Sequence, residues 1–335
     1  MDKRHSCALI LLQVTMTIAT SLTKKLKIQH PVLLAPMAGV AGGALAAAVS
    51  NAGGLGIIGG GYGDRESLDR ELIAAGNTPV GVGFITWSLQ KNPDLLNVAL
   101  AHAPKVMFLS FGELTDFAPA IKQAGIPLIA QVQTLAQARR AVDEGADVIV
   151  AQGAEAGGHG STRSTMPFVP AVADAVGDIP VVAAGGIADG RGLAAALMLG
   201  ASGVLCGTAF FASRESLAHA SMKRGAIEGE GDNTQRSSVI DVARGIPWPS
   251  QWTIRTLRNE FTDRWGGDMA GLQRNIAEER PRYMAARDAG NTAVSAVIVG
   301  EAVDLVRADE TAAAIVARIV AQAEARMQSA RDLLT

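Results

Sequence analysis

Cysteine is nearly missing from this sequence, and its scarcity removes whole classes of function. Two residues, Cys7 and Cys206, cannot build a disulfide framework or a tetrahedral zinc site. Charge of either sign is scarce as well. A formal net charge of −2 leaves no basic footprint for nucleic acid. No apolar run is long enough to span a bilayer, so no membrane partner is expected. The start of the chain needs separate comment, because Lys3, Arg4 and His5 precede the apolar run from Ala8 to Val14. That order resembles a short signal peptide, but no small-x-small cleavage site follows it. We read residues 1–21 as an extension ahead of a cytoplasmic body that begins near Thr20, with export as the minority alternative.

What the chain has in quantity is small apolar residues. Hydrophobic types make up 48% of it and aromatics only 4%, and there are 37 glycines. Eight short apolar runs (31–37, 55–58, 79–84, 106–110, 127–131, 148–152, 180–186 and 203–207) alternate with alanine-rich helical windows. Each run is continuous rather than alternating, as expected of parallel strands buried on both faces. The helical windows include 42–52, 67–75, 95–101, 135–144, 170–176 and 191–199. Eight strand–helix units in series predict an α/β fold, a (β/α)8 TIM barrel, in preference to a doubly wound open sheet. Residues 226–290, richer in charge and holding Trp248, Trp252 and Trp265, read as a helical insertion or cap after the eighth strand. The barrel is then residues 22–225 together with 291–335, and its tail, 310–334, is an amphipathic helix.

In such a barrel, chemistry sits where strands end. The sixth run ends in "AQGAEAGGHG", which places His159 among Gly153, Gly157, Gly158 and Gly160. The seventh and eighth end in "AAGGIADG" and "CGTAF". Backbone N–H groups at these two ends form the usual phosphate site of the fold, so Gly185, Gly186, Gly207 and Thr208 are the expected donors. "GLGIIG", 54–59, satisfies the dinucleotide spacing, yet it spans a strand instead of opening a helix and no acid follows about 20 residues on. Lys24, Lys105 and Lys122 miss the strand ends, which argues against Schiff-base chemistry. No carboxylate cluster or HExxH marks a metal. His30, His102 and His219 fall in turns or on helices, which leaves His159 as the titratable group at the active face.

"AQGAEAGGHG", "APMAG", "VVAAGGIADGRGLAAALMLGASGVLCGTAF" and the late "VGEAVDLV" together resemble the nitronate monooxygenase (2-nitropropane dioxygenase) family of FMN-dependent barrels, over Leu22 to Ala325. The resemblance implies that FMN is the cofactor and that His159 is the catalytic base. It also implies flavin contacts at Met37, Gln131, Gln152, Gly157, Gly185, Gly186, Gly207 and Thr208. The implied reaction is oxidation of alkyl nitronates, and of neutral nitroalkanes, by O2 to carbonyl compounds and nitrite. A homodimer is one open option, since the sequence does not fix the oligomeric state. The chain departs from many relatives at Gly83, where asparagine is common, and at Gln131 and Gln152, where charged residues occur. These departures bear on substrate preference more than on the cofactor.

Other readings keep the barrel and change the chemistry. FMN-dependent reductases that use NAD(P)H, of the enoyl-ACP (FabK) or quinone type, resemble the same loops. An inosine-monophosphate-dehydrogenase-like barrel needs a nucleophilic cysteine in the sixth loop, and 152–168 contains none. A phosphate-binding sensor would have no use for His159 at the active face.

Overall fold

The computed structural model describes residues 18–334. Its strands, in chain order, are β1 (Val32–Leu34), β2 (Ile57–Gly59), β3 (Gly81–Ile85), β4 (Met107–Ser110), β5 (Leu128–Val132), β6 (Val148–Gln152), β7 (Gly158–Gly160), β8 (Val181–Ala184), β9 (Gly203–Cys206), β10 (Thr234–Ser237) and β11 (Thr253–Leu257). All eight apolar runs contribute a strand to one parallel sheet, ordered β1-β9-β8-β6-β5-β4-β3-β2. The remaining seam closes through a parallel bridge between Leu33 and Leu55, with Leu34 N donating to Leu55 O at 2.9 Å. The fold is therefore the expected (β/α)8 barrel.

Barrel closure explains why these runs are apolar without interruption. Alternate residues face inward and outward, and both directions are buried. Leu33, Phe108, Ile129, Val150, Val182 and Leu205 fill the interior, whereas Leu34, Leu109, Ala130, Ile149, Ala183 and Val204 meet the outer helices. Helix Ser21–Leu26 begins with a capping box at Thr20 and adds Leu22 and Leu26 to the inner cluster. Leu22 lies against Gly203, where a Cβ would come within 2.5 Å of it, so this helix closes the N-terminal end of the barrel. The signal-like stretch of the sequence lies outside the described residues.

Most helical windows are reproduced to within a residue or two at each end. The window 170–176 is longer, Thr165–Val176, with Pro170 inside it. Proline favours a helix start, which is why the sequence placed the boundary there, but Phe168 and Val169 are fully buried and draw the earlier turn into the helix. Helix Ala312–Ser329 packs on helix Gly190–Met198 so closely that a Cβ at Gly190 would lie 2.3 Å from Ala323 N.

After β9 the chain builds a cap whose helices include Val239–Arg244, Glu260–Trp265, Met269–Arg274 and Ile276–Asp288. They share a core of their own, with Ile240, Phe261, Trp265, Leu272 and Tyr283 buried together. The cap is not helical throughout. β10 and β11 lie in it, and β11 pairs antiparallel with both β10 and β7. No helix among the described residues is long and apolar enough to cross a membrane.

Candidate active site

The C-terminal ends of the barrel strands open into one cavity. Met37, Gln131, Gln152, Gly157, His159, Gly185, Gly186, Gly207 and Thr208, nine residues dispersed over the sequence, all line it. Among the described residues, the backbone N–H groups of Gly185, Gly186, Gly207 and Thr208 meet no protein acceptor. Gly186 has φ +71°, a left-handed conformation in which glycine is the unstrained choice. Free amides on adjacent turns make a cradle for an anion such as a phosphate. Met37, Phe84, Pro36 and Ala35 supply an apolar wall beside it. That donor set fits a flat, apolar ring system carrying one phosphate.

The glutamines differ in availability. Gln131 makes no side-chain hydrogen bond to the described protein, which leaves its amide for a ligand. Gln152 is engaged at both ends: Nε2 donates to His159 O at 3.0 Å and Oε1 accepts from Gln133 Nε2 at 2.9 Å. Gln133 in turn accepts from Trp252 Nε1 at 3.2 Å. Gly157 serves close packing, since a Cβ there would lie 2.5 Å from Gly300 N.

A glycine-rich loop would not by itself hold an imidazole still, and the cap does so here. β7 carries His159, which stands opposite Ile254 of β11. Arg236, on β10, donates to the carbonyls of Ala154 (3.0 Å), Ala156 (2.8 Å), Gly158 (3.3 Å) and Thr253. Burial, with Arg255 close by, pushes its guanidinium down to about 10, so it stays charged at neutral pH. Arg255 adds a bond from Nε to Ala154 O at 3.1 Å and pairs with Glu301 at 2.9 Å.

His159 is 8% exposed. Its Nε2 lies 3.0 Å from each carboxylate oxygen of Asp241, itself 3% exposed. Trp248 stacks on the imidazole, with ring centres 3.4 Å apart and planes 10° from parallel. Phe111, a non-glycine residue at φ +61°, turns its ring edge-on to Trp248. Burial lowers the His159 pKa below its ordinary 6.5. Asp241 opposes that shift, and the cationic Arg244 and Arg236 reinforce it. The imidazole is thus neutral at physiological pH, as a proton acceptor must be. Arg244 also lines the cavity, with its guanidinium 5.5 Å from the Tyr62 ring centre, and it forms no salt bridge with the described residues.

Sequence reasoning missed Asp241, Arg244, Phe111 and Tyr62 and saw Trp248 only as part of the cap. "PWP" in a charged insertion was the one available signal, an aromatic held between two rigid residues.

A family model described as nitronate monooxygenase matches residues 19–82 and 89–322. The chain belongs to the nitronate monooxygenase family. It is similar to the nitronate monooxygenase npaC of Metarhizium robertsii, with 38% identity over 89% of this chain and 92% of the relative. Among solved structures it is similar to nitroalkane oxidase from Streptomyces ansochromogenes, with a TM-score of 0.78 and 27% identity over 92% and 99% of the two chains. It is also similar to FabK from Thermotoga maritima, with a TM-score of 0.82 and 30% identity over 95% and 100%. Like other members of the nitronate monooxygenase family, the protein is an oxidoreductase.

Proposed function

We propose that the protein uses FMN to oxidise alkyl nitronates, and neutral nitroalkanes once deprotonated, with O2 as the electron acceptor and a carbonyl compound and nitrite as products. The observation that carries this reading is a buried His159, with burial lowering its pKa, in the same cavity as an amide cradle without protein acceptors among the described residues. Gly185, Gly186, Gly207 and Thr208 would hold the FMN phosphate, with Met37 and Gln131 against the ring system. Bound there, FMN supplies the electron transfer from nitronate and the return of electrons to O2.

The protein's own residues handle substrate and proton. His159 takes the proton from the carbon beside the nitro group, which a neutral imidazole can do near neutral pH. Arg244, half-buried and in no salt bridge among the described residues, offers positive charge to the nitronate formed. Trp248, Phe111 and Tyr62 wall the cavity and limit water around that charge. A substrate supplied as nitronate needs no base, and His159 then contributes placement alone.

The likeness to FabK favours a second reading, reduction by NAD(P)H on the same scaffold. Oxygen uptake with a preformed nitronate, set beside NADH and NADPH oxidation, separates the two. The first reading expects fast uptake with the nitronate and slow pyridine nucleotide oxidation. The reverse pattern overturns it.

A further inference from the structure

The cap helix Val239–Arg244 reaches the barrel mouth with one carboxylate, and the environment of that carboxylate is unusual. Among the described residues, His159 is the only group that bonds the Asp241 side chain. Helix neighbours Val239, Ile240 and Ala243 are fully buried in the cap core, and Gly245 ends the helix in a left-handed turn. The carboxylate is therefore fixed by packing that does not involve His159.

We propose that Asp241 is a positioning residue that keeps the proton of His159 on Nε2 and so leaves Nδ1 as the proton acceptor. This assignment rests on the reading of His159 as the base. An ionised carboxylate only accepts hydrogen bonds, so a nitrogen 3.0 Å from both its oxygens must carry the hydrogen. In a neutral imidazole the other nitrogen then presents its lone pair. Nδ1 has no hydrogen-bond partner among the described residues, and His159 lines the cavity. Two further contacts hold the ring in that orientation. Trp248 lies flat against it, and Gln152 fixes the carbonyl of the same residue. Turning the ring over would leave a buried carboxylate with no donor, a costly state.

The charged and titratable groups around His159 are Asp241 and Arg244 on the cap helix, Arg236 on β10, and Tyr62 beyond Trp248. Asp241 is the one anion in this set. Removing its charge leaves the two cations unopposed, so the imidazole would protonate only at still lower pH. The same change loses the preference for Nε2–H, since an asparagine amide can donate to Nε2 and move the hydrogen to Nδ1.

The test begins with 15N NMR of wild-type protein labelled at histidine, loaded with FMN in the oxidised state. The expected signature for His159 is a protonated Nε2 and an unprotonated Nδ1 above its pKa. The opposite tautomer in wild type overturns the proposal with no variant needed. Asp241→Asn, compared at equal flavin content, should lose about 10²–10⁴-fold in kcat on a neutral nitroalkane, the range for a positioned base, with KM little changed. The pH midpoint of kcat should fall, and turnover of the preformed nitronate should change far less. An unchanged tautomer and pH midpoint in Asp241→Asn overturns the assignment. If wild type oxidises neither substrate while His159 shows the expected tautomer, the proposed function fails and the positioning role of Asp241 stands.

Discussion

Arg236→Met removes the guanidinium that ties the His159 strand to the cap, and its effect can be bounded. Arg236 bonds three carbonyls of the turn that carries the imidazole, those of Ala154, Ala156 and Gly158, and a fourth, that of Thr253 on β11. A hydrogen bond to a charged group contributes about 1.5–3 kcal/mol net. The sum over four would overstate the loss, because Arg236 is only half-buried and water can re-solvate part of the turn. Its Nε is also buried without a partner, which subtracts from the wild-type side. We therefore expect a loss of about 3 kcal/mol, the worth of one to two charged bonds. For a chain of this size, at about 2.1 cal/mol/K of unfolding entropy per residue, that corresponds to a Tm lower by roughly 4 °C. Thermal melts of the two proteins at equal FMN saturation measure this, and turnover of neutral nitroalkane should fall with it as the imidazole loses its place. Arg236→Lys should lie between the two, since one ammonium cannot reach all four carbonyls. A methionine variant that melts with the wild type and keeps its activity refutes the reasoning.

Two other outcomes follow from the site. Gly186→Asp puts a side chain at φ +71° and a negative charge beside the proposed phosphate, so the purified variant should lack the yellow flavin absorbance expected of wild type. Normal flavin content in a folded Gly186→Asp protein would show that the phosphate lies elsewhere. The depressed pKa of His159 has consequences for both activity and stability. Activity on neutral nitroalkane should rise with pH about a midpoint below 6.5, because the base must be unprotonated. The unfolded chain binds this proton more readily than the folded one. Stability should therefore be lost as pH falls from 6.5 toward the folded pKa, and His159→Asn should flatten that slope in chemical denaturation. A steeper slope in the variant would contradict the sign.

The barrel was legible because its signal is local. Ile149 faces the helices and Val150 the interior, so each strand must be apolar at every position, and such runs stand out in any window. That Gly185, Gly186, Gly207 and Thr208 would line one cavity was legible because the fold places strand ends together by rule. Asp241 was not. It lies 82 residues from His159 on a short helix, and nothing in "VIDVAR" separates a buried carboxylate from a solvated one. β7 escaped notice because "GHG" has neither the length nor the apolar side chains that mark a strand, and it exists only through pairing with β11. β11 itself, "TIRTL", alternates between buried and half-buried positions, but with Thr253 and Arg255 on the half-buried face it is too short to stand out in a cap rich in helices. The glycine loop holds nothing in place by itself, and the long-range bonds from Arg236 and Gln152 that order it cannot be read from a local window.

The central claim is that His159 removes a proton from the substrate carbon, and His159→Asn measured on two substrates tests it most directly. Asparagine keeps a polar side chain at this position of β7 but cannot accept the proton. With a neutral nitroalkane, turnover should fall by about 10²–10⁴-fold, the usual contribution of a positioned base. With the preformed nitronate, from which that proton is already gone, the fall should be much smaller. Equal losses on the two substrates would contradict the account and make His159 an anchor instead of a base.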